Sequence, residues 1–218
     1  AEPIKGIDPN KHEEALRIAG LKAAHYLAKA ALNVEGNERE VYQLEEVPQS
    51  KKLPKIAYIQ LSMAQGLLHD NYIYGVNTKH LHPILLHPNE LMDGAEVSGN
   101  CVVASDKTTT YDHQNNPVIK ELYLRHGVDL DFAGVIIVPI NAGLKDKERC
   151  ALGAINLLRQ LRPDGVIISE EGGGNPEADI MMLCSKAEKC GIKTVLILNE
   201  VADDIGKGEP LTTVTPEA

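Results

Sequence analysis

The residues most able to do chemistry lie in one polar stretch near the middle of the chain, "DGAEVSGNCVVASDKTTTYDHQNNP", residues 93–117. It is too polar and too rich in turn-forming residues for a core strand or an ordinary helix. Within it, Cys101 directly follows Asn100, and a charged, hydroxyl-rich run begins at Asp106. A thiol beside a peptide carbonyl is a nucleophile within reach of that bond, so the spacing offers self-processing chemistry.

Self-processing would begin when the Cys101 thiol attacks the Asn100 carbonyl, an N-to-S acyl shift that gives a thioester. Elimination of sulfur then leaves a dehydroalanine, which hydrolyses to a pyruvoyl group. Gly99 supplies the backbone freedom that a strained bond needs. The side chains suited to proton transfer and to stabilising an oxyanion flank the bond, namely Ser98, Asp106, Lys107, Thr108, Thr109 and Thr110.

Two other interpretations of Cys101 stay open from the residues alone. The first is a loop thiol without a chemical role. The second is the nucleophile of a cysteine hydrolase, with His113 as its base. Sequence order does not tell whether these two side chains meet.

A second candidate site is the segment "SEEGGGNP", residues 169–176, which lies between a predicted strand and a predicted helix. Ligands of open parallel sheets lie at the carboxyl ends of strands, and glycines let the backbone approach them. The helix N-terminus could bind a substrate carboxylate, and the glutamates could instead bind an amine. The predicted substrate-binding residues are Glu170, Gly172, Gly173, Gly174 and Asn175, and a plain glycine-rich turn is the alternative.

The elements that must position these residues follow a regular alternation after Phe132. Apolar strands at 132–140, 164–171 and 192–200 alternate with helices at 144–162 and 175–191. This pattern predicts an α/β fold, a Rossmann-like parallel sheet flanked by helices, with a processing loop near the chain midpoint.

The first half of the chain is predicted to form a separate region. It contains an amphipathic helix over 8–33 and a buried strand over 55–61. We therefore divide the chain into residues 1–127, with the helix, a strand and the self-processing region, and residues 128–218, with a βαβαβ unit. The chain ends in a loop-like segment, which suggests a piece of a longer protein.

Composition excludes several classes of protein. The formal charge of −9 over 218 residues argues against nucleic-acid and anionic-membrane partners, which need clustered Lys and Arg. No apolar run is long enough to span a bilayer. Cys150, Cys184 and Cys190 fall in helical stretches and no C-x-x-C pair occurs, so we expect buried thiols, no metal site and a reducing, cytoplasmic location. His80, His82 and His87 in "HLHPILLHP" could bind a metal, but we expect them to be structural or to line a substrate pocket.

Three segments closely resemble one protein family: "GLLHDNYIYG", "LLHPNELMDGAEVSGNCVVASDKTTTYDHQNNPVI" and "DGVIISEEGGGNP". They are similar to the glycine, sarcosine and betaine reductase component B alpha/beta proproteins of amino-acid-fermenting anaerobes, and more distantly to the D-proline reductase proprotein. The resemblance extends over nearly the whole chain, which is similar to the central part of those proteins. The chain departs from the family pattern at Ser105 and at Gly173.

The resemblance implies an amino-acid reductase subunit precursor that cuts itself between Asn100 and Cys101. Cys101 would become a pyruvoyl cofactor, an electrophile that makes the substrate amine a better leaving group. A selenocysteine- or cysteine-containing subunit of the same complex would supply the nucleophile for reductive C–N cleavage. The expected partners are therefore that subunit, in a hetero-oligomer, and a small amino-acid substrate. The rivals are an unprocessed relative that binds a small amine or carboxylate, and the hydrolase with Cys101 and His113.

Overall fold

The computed structural model describes residue 6 and residues 8–36, 40–66, 70–99, 107–198 and 212–218. The main sheet contains β1 (Lys55–Met63), β4 (Ile84–Leu86), β6 (Asp131–Ile140), β7 (Gly165–Ser169) and β8 (Lys193–Ile197). A small antiparallel sheet contains β2 (Asn71–Ile73), β3 (Val76–Asn77) and β5 (Glu96–Ser98). The helices are α1 (Pro9–Ala28), α2 (Pro88–Met92), α3 (Thr110–Gln114), α4 (Pro117–Arg125), α5 (Leu144–Leu161) and α6 (Asn175–Glu188).

The main sheet has the strand order β4-β6-β1-β7-β8 and is mixed. Strands β6, β7 and β8 are parallel, as predicted, and β1, which was predicted only as a buried strand, lies parallel between β6 and β7. Strand β4 pairs antiparallel with β6. The expectation of a purely parallel sheet is wrong at this edge, because a three-residue apolar strand carries no signal of its direction. An antiparallel edge strand on a parallel sheet is common. The Rossmann-like assignment and the division at residues 127 and 128 stay predictions.

The direction of the chain across the sheet reverses at β1. From β1 the chain passes to β4 and then β6 on one side, and afterwards crosses back over β1 to β7 on the other side. In doubly wound sheets, ligands bind outside the carboxyl ends of the strands where the order reverses. The carboxyl ends of β1 and β7 are therefore the place where this fold would form a site.

Helices cover the two faces of the sheet through the alternate residues of its strands. Ala57, Ile59 and Leu61 of β1 are buried in one core with α5 and α6. Tyr58 is buried in the second core, which α4 completes with Ile119 and Leu122. Gln60 and Ser62 follow Tyr58 on that same face, since side chains alternate along a strand.

The predicted N-terminal helix is confirmed as α1, but its apolar face is not buried. Ile18, Leu21 and Leu27 are 38%, 43% and 70% exposed. One contact to the small sheet is made by Arg17, whose guanidinium lies 4.4 Å from the ring centre of Tyr72.

Two expectations about side-chain burial are wrong. The charged run "KDKER", residues 145–149, predicts a solvated helix face, yet Lys147 is buried, pairs with Asp179 and donates to the Asn175 carbonyl at 3.2 Å. Burial raises the pKa of Asp179 to about 6, and its hydrogen bond with Lys147 opposes that rise. Cys190 is exposed, because it lies in the turn after α6, whereas the other two helical thiols are buried as predicted.

Candidate functional site

Seven buried polar side chains meet beyond the carboxyl end of β1, and we call them the polar cluster. They are Gln60, Ser62, Asn71, Glu96, Lys107, His113 and Glu171, each at most 6% exposed. The main sheet, the small sheet, α3 and the β7–α6 loop all contribute. Because an unpaired buried polar group costs free energy, the contacts within the cluster determine its structure.

Glu171 accepts hydrogen bonds from three parts of the chain. Its Oε2 accepts from the Met63 N–H at 2.9 Å and from Asn71 Nδ2 at 2.7 Å. Its Oε1 accepts from the Thr108 N–H at 2.9 Å and lies 3.6 Å from the ammonium of Lys107. One carboxylate therefore joins the end of β1, the start of β2 and the chain that follows residue 106.

Asn71 connects the two carboxylates of the cluster. Its Nδ2 donates to Glu96 Oε1 at 3.0 Å as well as to Glu171. Its Oδ1 accepts from the ammonium of Lys107. An amide provides both donors and an acceptor, which neither a carboxylate nor a hydroxyl could provide in these same positions.

Glu96 is fully buried on β5 with three donors around it. It accepts from Ser62 Oγ, from Gln60 Nε2 at 2.6 Å and from Asn71. Burial raises the pKa of Glu96 to about 7, while the hydrogen bonds from Ser62 and Asn71 and the charge of Lys107 oppose the rise. The group thus changes protonation near neutral pH.

His113 lies beside Glu96 as a neutral imidazole. Its Nδ1 is 3.0 Å from Gln60 Nε2 and 3.6 Å from Glu96 Oε2. Burial lowers the pKa of His113 to about 4; the charge of Glu171 opposes that shift and the charge of Lys107 adds to it. A protonatable carboxyl beside a neutral histidine is the pattern of an acid–base pair.

The Glu96→Gln variant is expected to change how stability depends on pH. Burial raises the pKa of Glu96 from 4.5 to about 7, so this group lowers stability as pH rises through that range. Burial lowers the pKa of His113 from 6.5 to about 4, so stability rises with pH between those values. The two trends oppose each other, and each changes the free energy of unfolding by about 3 kcal/mol over its pH range.

The Glu96→Gln variant loses the pH dependence that comes from Glu96, so only the dependence that comes from His113 remains. Between about pH 4.5 and 6.5, the free energy of unfolding of Glu96→Gln is therefore expected to rise by roughly 2–3 kcal/mol more than that of the wild type. Urea unfolding at a series of pH values measures this. Parallel pH curves for the two proteins would contradict the assignment.

The chain just before residue 100 is held closely against the small sheet. The Gly99 N–H donates to the Asp70 carbonyl at 3.1 Å, and Ser98 N–H donates to Thr110 Oγ1 at 3.1 Å. A Cβ on Gly99 would lie well inside the contact distance of the Asp70 carbonyl oxygen and 2.8 Å from the Tyr72 ring. Ser98 Oγ is buried and, in the described part of the chain, has no hydrogen-bond partner.

The structure brings together some of the predicted site residues. Lys107 and His113 belong to the polar cluster, and Thr108 joins it through its N–H. Asn100, Cys101 and Asp106 lie outside the described residues, as does the predicted processing loop. Both described flanks of residues 100–106 contact the cluster or the small sheet that carries it.

The predicted substrate-binding loop follows β7 and leads into α6, as expected. Gly172 and Gly174 have positive φ values of 78° and 75°, which favour glycine. The Gly174 N–H donates to Glu177, and Asn175 Oδ1 accepts from Gln65 Nε2 at 2.8 Å. Glu170 is half-buried beside Glu171, so the loop adjoins the polar cluster. Its role in substrate binding stays a prediction.

The sequence reasoning missed the glutamates and amides of the cluster. Gln60 and Ser62 carried a usable signal, because they alternate at the end of an otherwise apolar strand. Glu171 lies in the predicted substrate-binding segment, where its charge indicated only that the segment could bind an amine. The sequence around Glu96 and Asn71 did not indicate that they are buried, because strands of two or three residues are too short to show a hydrophobic periodicity.

The histidine-rich segment has structural contacts. His87 Nδ1 accepts from the Asn89 N–H at 3.2 Å and caps α2. In the described ranges, no three His, Cys, Asp or Glu side chains form a group that could hold a metal ion.

No described helix is long and apolar enough to cross a membrane. The residues Asn115 and Asn116 before Pro117 predict a turn and a helix cap, and Asn116 does cap α4, since its Oδ1 accepts from the Val118 N–H at 2.9 Å.

An α/β protein with titratable side chains at the reversal of its strand order has the architecture of an enzyme or a small-ligand-binding protein. The model of the family described as glycine/sarcosine/betaine reductase component B subunits matches residues 1–218. The chain therefore belongs to this family of reductase complex components. No solved structure matches it significantly.

Curated relatives agree with the family and differ in the substrate that they name. The chain is 48% identical to the sarcosine reductase complex component B subunit alpha of Peptoclostridium acidaminophilum, over all of the chain and 52% of the relative. It is 48% identical to the glycine reductase complex component B subunits alpha and beta of Acetoanaerobium sticklandii, over 97% of the chain and 50% of the relative. Identity to the betaine reductase subunit alpha of P. acidaminophilum is 38%, over 100% and 50%. The chain spans about half the length of these relatives.

Proposed function

We propose that this chain is part of an amino-acid reductase subunit that cuts itself between Asn100 and Cys101, and that Cys101 becomes a pyruvoyl group. The single observation that carries the proposal is the structure around Gly99. The chain enters residue 100 through a buried glycine that has no room for a side chain. This close packing of Gly99 against Asp70 and Tyr72 restricts the backbone next to the bond that would be cut. Restricted geometry favours an intramolecular reaction.

The described neighbours fit the formation of such a group. Ser98 Oγ is a buried hydroxyl without a partner in the described ranges, two residues before the carbonyl that would be attacked. Lys107 is a buried ammonium on the other flank. Both can donate hydrogen bonds to oxygen that becomes negative when the thiol adds to the carbonyl.

The chemistry proceeds through the residues of the chain. The Cys101 sulfur bonds to the Asn100 carbonyl carbon, the amide C–N bond breaks, and the nitrogen takes up the proton that the thiol gives up. Loss of the Cα proton then breaks the Cβ–S bond and leaves a dehydroalanine at residue 101, while the sulfur leaves with the upstream fragment as a thiocarboxylate on Asn100. Water hydrolyses that thiocarboxylate to a carboxylate and hydrogen sulfide. Water also hydrolyses the imine tautomer of the dehydroalanine to the ketone, with release of ammonia.

The pyruvoyl ketone supplies an electrophile for a substrate amine such as that of glycine or sarcosine. Betaine has no N–H and cannot condense with the ketone, so the group would act differently on that substrate. The loop of Glu170, Gly172, Gly173, Gly174 and Asn175 is suited to bind a small amino acid such as glycine, sarcosine or betaine. Reductive C–N cleavage also requires a soft nucleophile, so a partner subunit with a selenocysteine or cysteine would provide it in a hetero-oligomeric complex.

Denaturing intact-mass spectrometry of the full-length protein, with and without a ketone-reactive hydrazine, tests the proposal. We expect two fragments that separate before residue 101, with the tag on the downstream one. Cys101→Ala removes the nucleophile and is expected to stay intact and untagged. Cys101→Ser keeps a nucleophile of the same reach and is the matched control, which should cleave more slowly.

Three results would decide against the proposal. They are an uncut wild-type protein, cleavage of Cys101→Ala, and a downstream fragment that does not react with hydrazine. Labelling of Cys101 by a thiol-reactive probe in active protein would instead support the cysteine hydrolase, since a pyruvoyl group has no thiol.

Ser98→Ala is expected to slow self-cleavage by about 100-fold, the typical effect of removing one oxyanion donor. The stability of the precursor should not fall, because the hydroxyl has no partner in the described structure. Time courses of cleavage and thermal melts measure the two effects. Ser98→Thr keeps the hydroxyl as a control, and a Ser98→Ala protein that cleaves at the wild-type rate would exclude this role.

A further inference from the structure

We propose that Asn71 is a positioning residue that holds the two flanks of residues 100–106 in place for self-cleavage. The inference rests on the proposed function and assigns to it a residue on β2, distant in sequence from the predicted bond. Its basis is that Asn71 contacts the upstream flank through its backbone and the downstream flank through its side chain.

The upstream contact is a strand pairing. Asn71 is opposite Ser98 in the antiparallel ladder of β2 and β5. The neighbouring Gly99 N–H donates to the Asp70 carbonyl at 3.1 Å. The chain is thus fixed up to the residue before Asn100, and two peptide units of about 3.8 Å each join Gly99 to Cys101.

The downstream contact is made by the side-chain amide. Asn71 Oδ1 accepts from the ammonium of Lys107, the residue that directly follows residues 100–106. Asn71 Nδ2 donates at 2.7 Å to Glu171, which accepts the Thr108 N–H at 2.9 Å. The downstream flank is therefore bonded to Asn71 directly and through one intermediate.

The amide is necessary because its two ends face groups of opposite charge. The oxygen faces an ammonium, and the nitrogen faces two carboxylates, Glu96 at 3.0 Å and Glu171 at 2.7 Å. Asn71→Asp keeps the size of the side chain and the acceptor for Lys107. It replaces the donor nitrogen by a carboxylate oxygen, which then faces the carboxylates of Glu96 and Glu171. That change pushes the flanks apart without creating a cavity.

Self-cleavage of Asn71→Asp is expected to be at least about tenfold slower than that of the wild type near pH 8, and to recover partly near pH 6. Four titratable groups face residue 71. They are Glu96 from β5, Glu171 from the β7–α6 loop, His113 from α3, and Lys107 from the segment before α3. Recovery is expected because a proton taken up by one of the three carboxyls relieves the repulsion.

Asn77→Asp is the matched control in the same small sheet. Asn77 Nδ2 donates to Asp70 Oδ2 at 2.7 Å, so this variant also opposes two carboxyls, but it touches neither Lys107 nor Glu171. Its cleavage rate is expected to stay within about twofold of the wild type, because Asp70 accepts the Gly99 N–H through its backbone carbonyl, which a change at the Asp70 side chain leaves in place.

Amide hydrogen exchange of the full-length protein separates this inference from the proposed function. Asn71→Asp should exchange faster than Asn77→Asp at Gly99 and at Thr108, whether or not the wild type cleaves. Asn71→Ser keeps the strand pairing and loses the side-chain reach, so it should exchange faster at Thr108 alone; it serves if Asn71→Asp does not fold. Unchanged exchange at Thr108 in both variants would overturn the inference, as would wild-type cleavage rates in a folded Asn71→Asp protein.

Discussion

Self-cleavage of the Gly99→Ala variant is expected to be at least about 100-fold slower than that of the wild type, the size of effect that a misplacement of about 1 Å produces. The new methyl group would overlap the backbone carbonyl of Asp70 and lie 2.8 Å from the Tyr72 ring. A backbone atom cannot rotate away, so β5 itself must move. Quenched time courses analysed by denaturing electrophoresis measure the rate.

Folding of the same variant should be affected much less than cleavage. Overpacking at one site costs about 1–3 kcal/mol, which lowers the melting temperature but leaves the sheet formed. Gly20→Ala on α1 is the control, because a Cβ there meets nothing within 4 Å. Cleavage of Gly99→Ala at the wild-type rate would mean that the close packing around Gly99 plays no part in the reaction.

Replacement of Glu171 by alanine is expected to lower the free energy of unfolding by about 3–5 kcal/mol. The variant removes the carboxylate that lies 3.6 Å from the Lys107 ammonium and takes the acceptor from the N–H groups of Met63 and Thr108. Unpaired buried donors and charges are among the costliest changes that a core can undergo. Urea unfolding followed by circular dichroism measures the loss.

Two further variants calibrate the Glu171 result. Glu171→Gln keeps the shape and one acceptor oxygen, so its loss should be smaller, about 1–3 kcal/mol. Glu148→Ala changes an exposed glutamate of α5 and should shift stability by less than about 0.5 kcal/mol. Equal stabilities of Glu171→Ala and Glu148→Ala would show that the contacts of Glu171 contribute nothing net.

The sequence could predict the elements that have a clear period or composition. The strands β1, β6, β7 and β8 are apolar runs, and the helices α5 and α6 have both a period and end signals such as Pro176. Asn116 was predictable as a cap because Asn before Pro is a local helix signal. These features depend on residues that are neighbours in the chain.

The polar cluster could not be predicted in the same way. Its contacts join residues that are far apart in sequence, such as Gln60 to Glu96 and Asn71 to Glu171. The burial of Lys147 was missed for the same reason, since its partner Asp179 is on another helix. These polar and charged residues can be buried because the fold brings a partner to each of them. No local sequence pattern indicates which residue that partner is.

The strand order also determines what happens to the protein after a cut between residues 100 and 101. β1 would then be on one polypeptide, and β6 and β7, which pair with it on both sides, would be on the other. Neither product could diffuse away without dismantling the sheet, so the two would stay assembled as one particle. Their renaturation would become a bimolecular reaction whose yield depends on concentration, whereas the uncut precursor would refold as a single molecule.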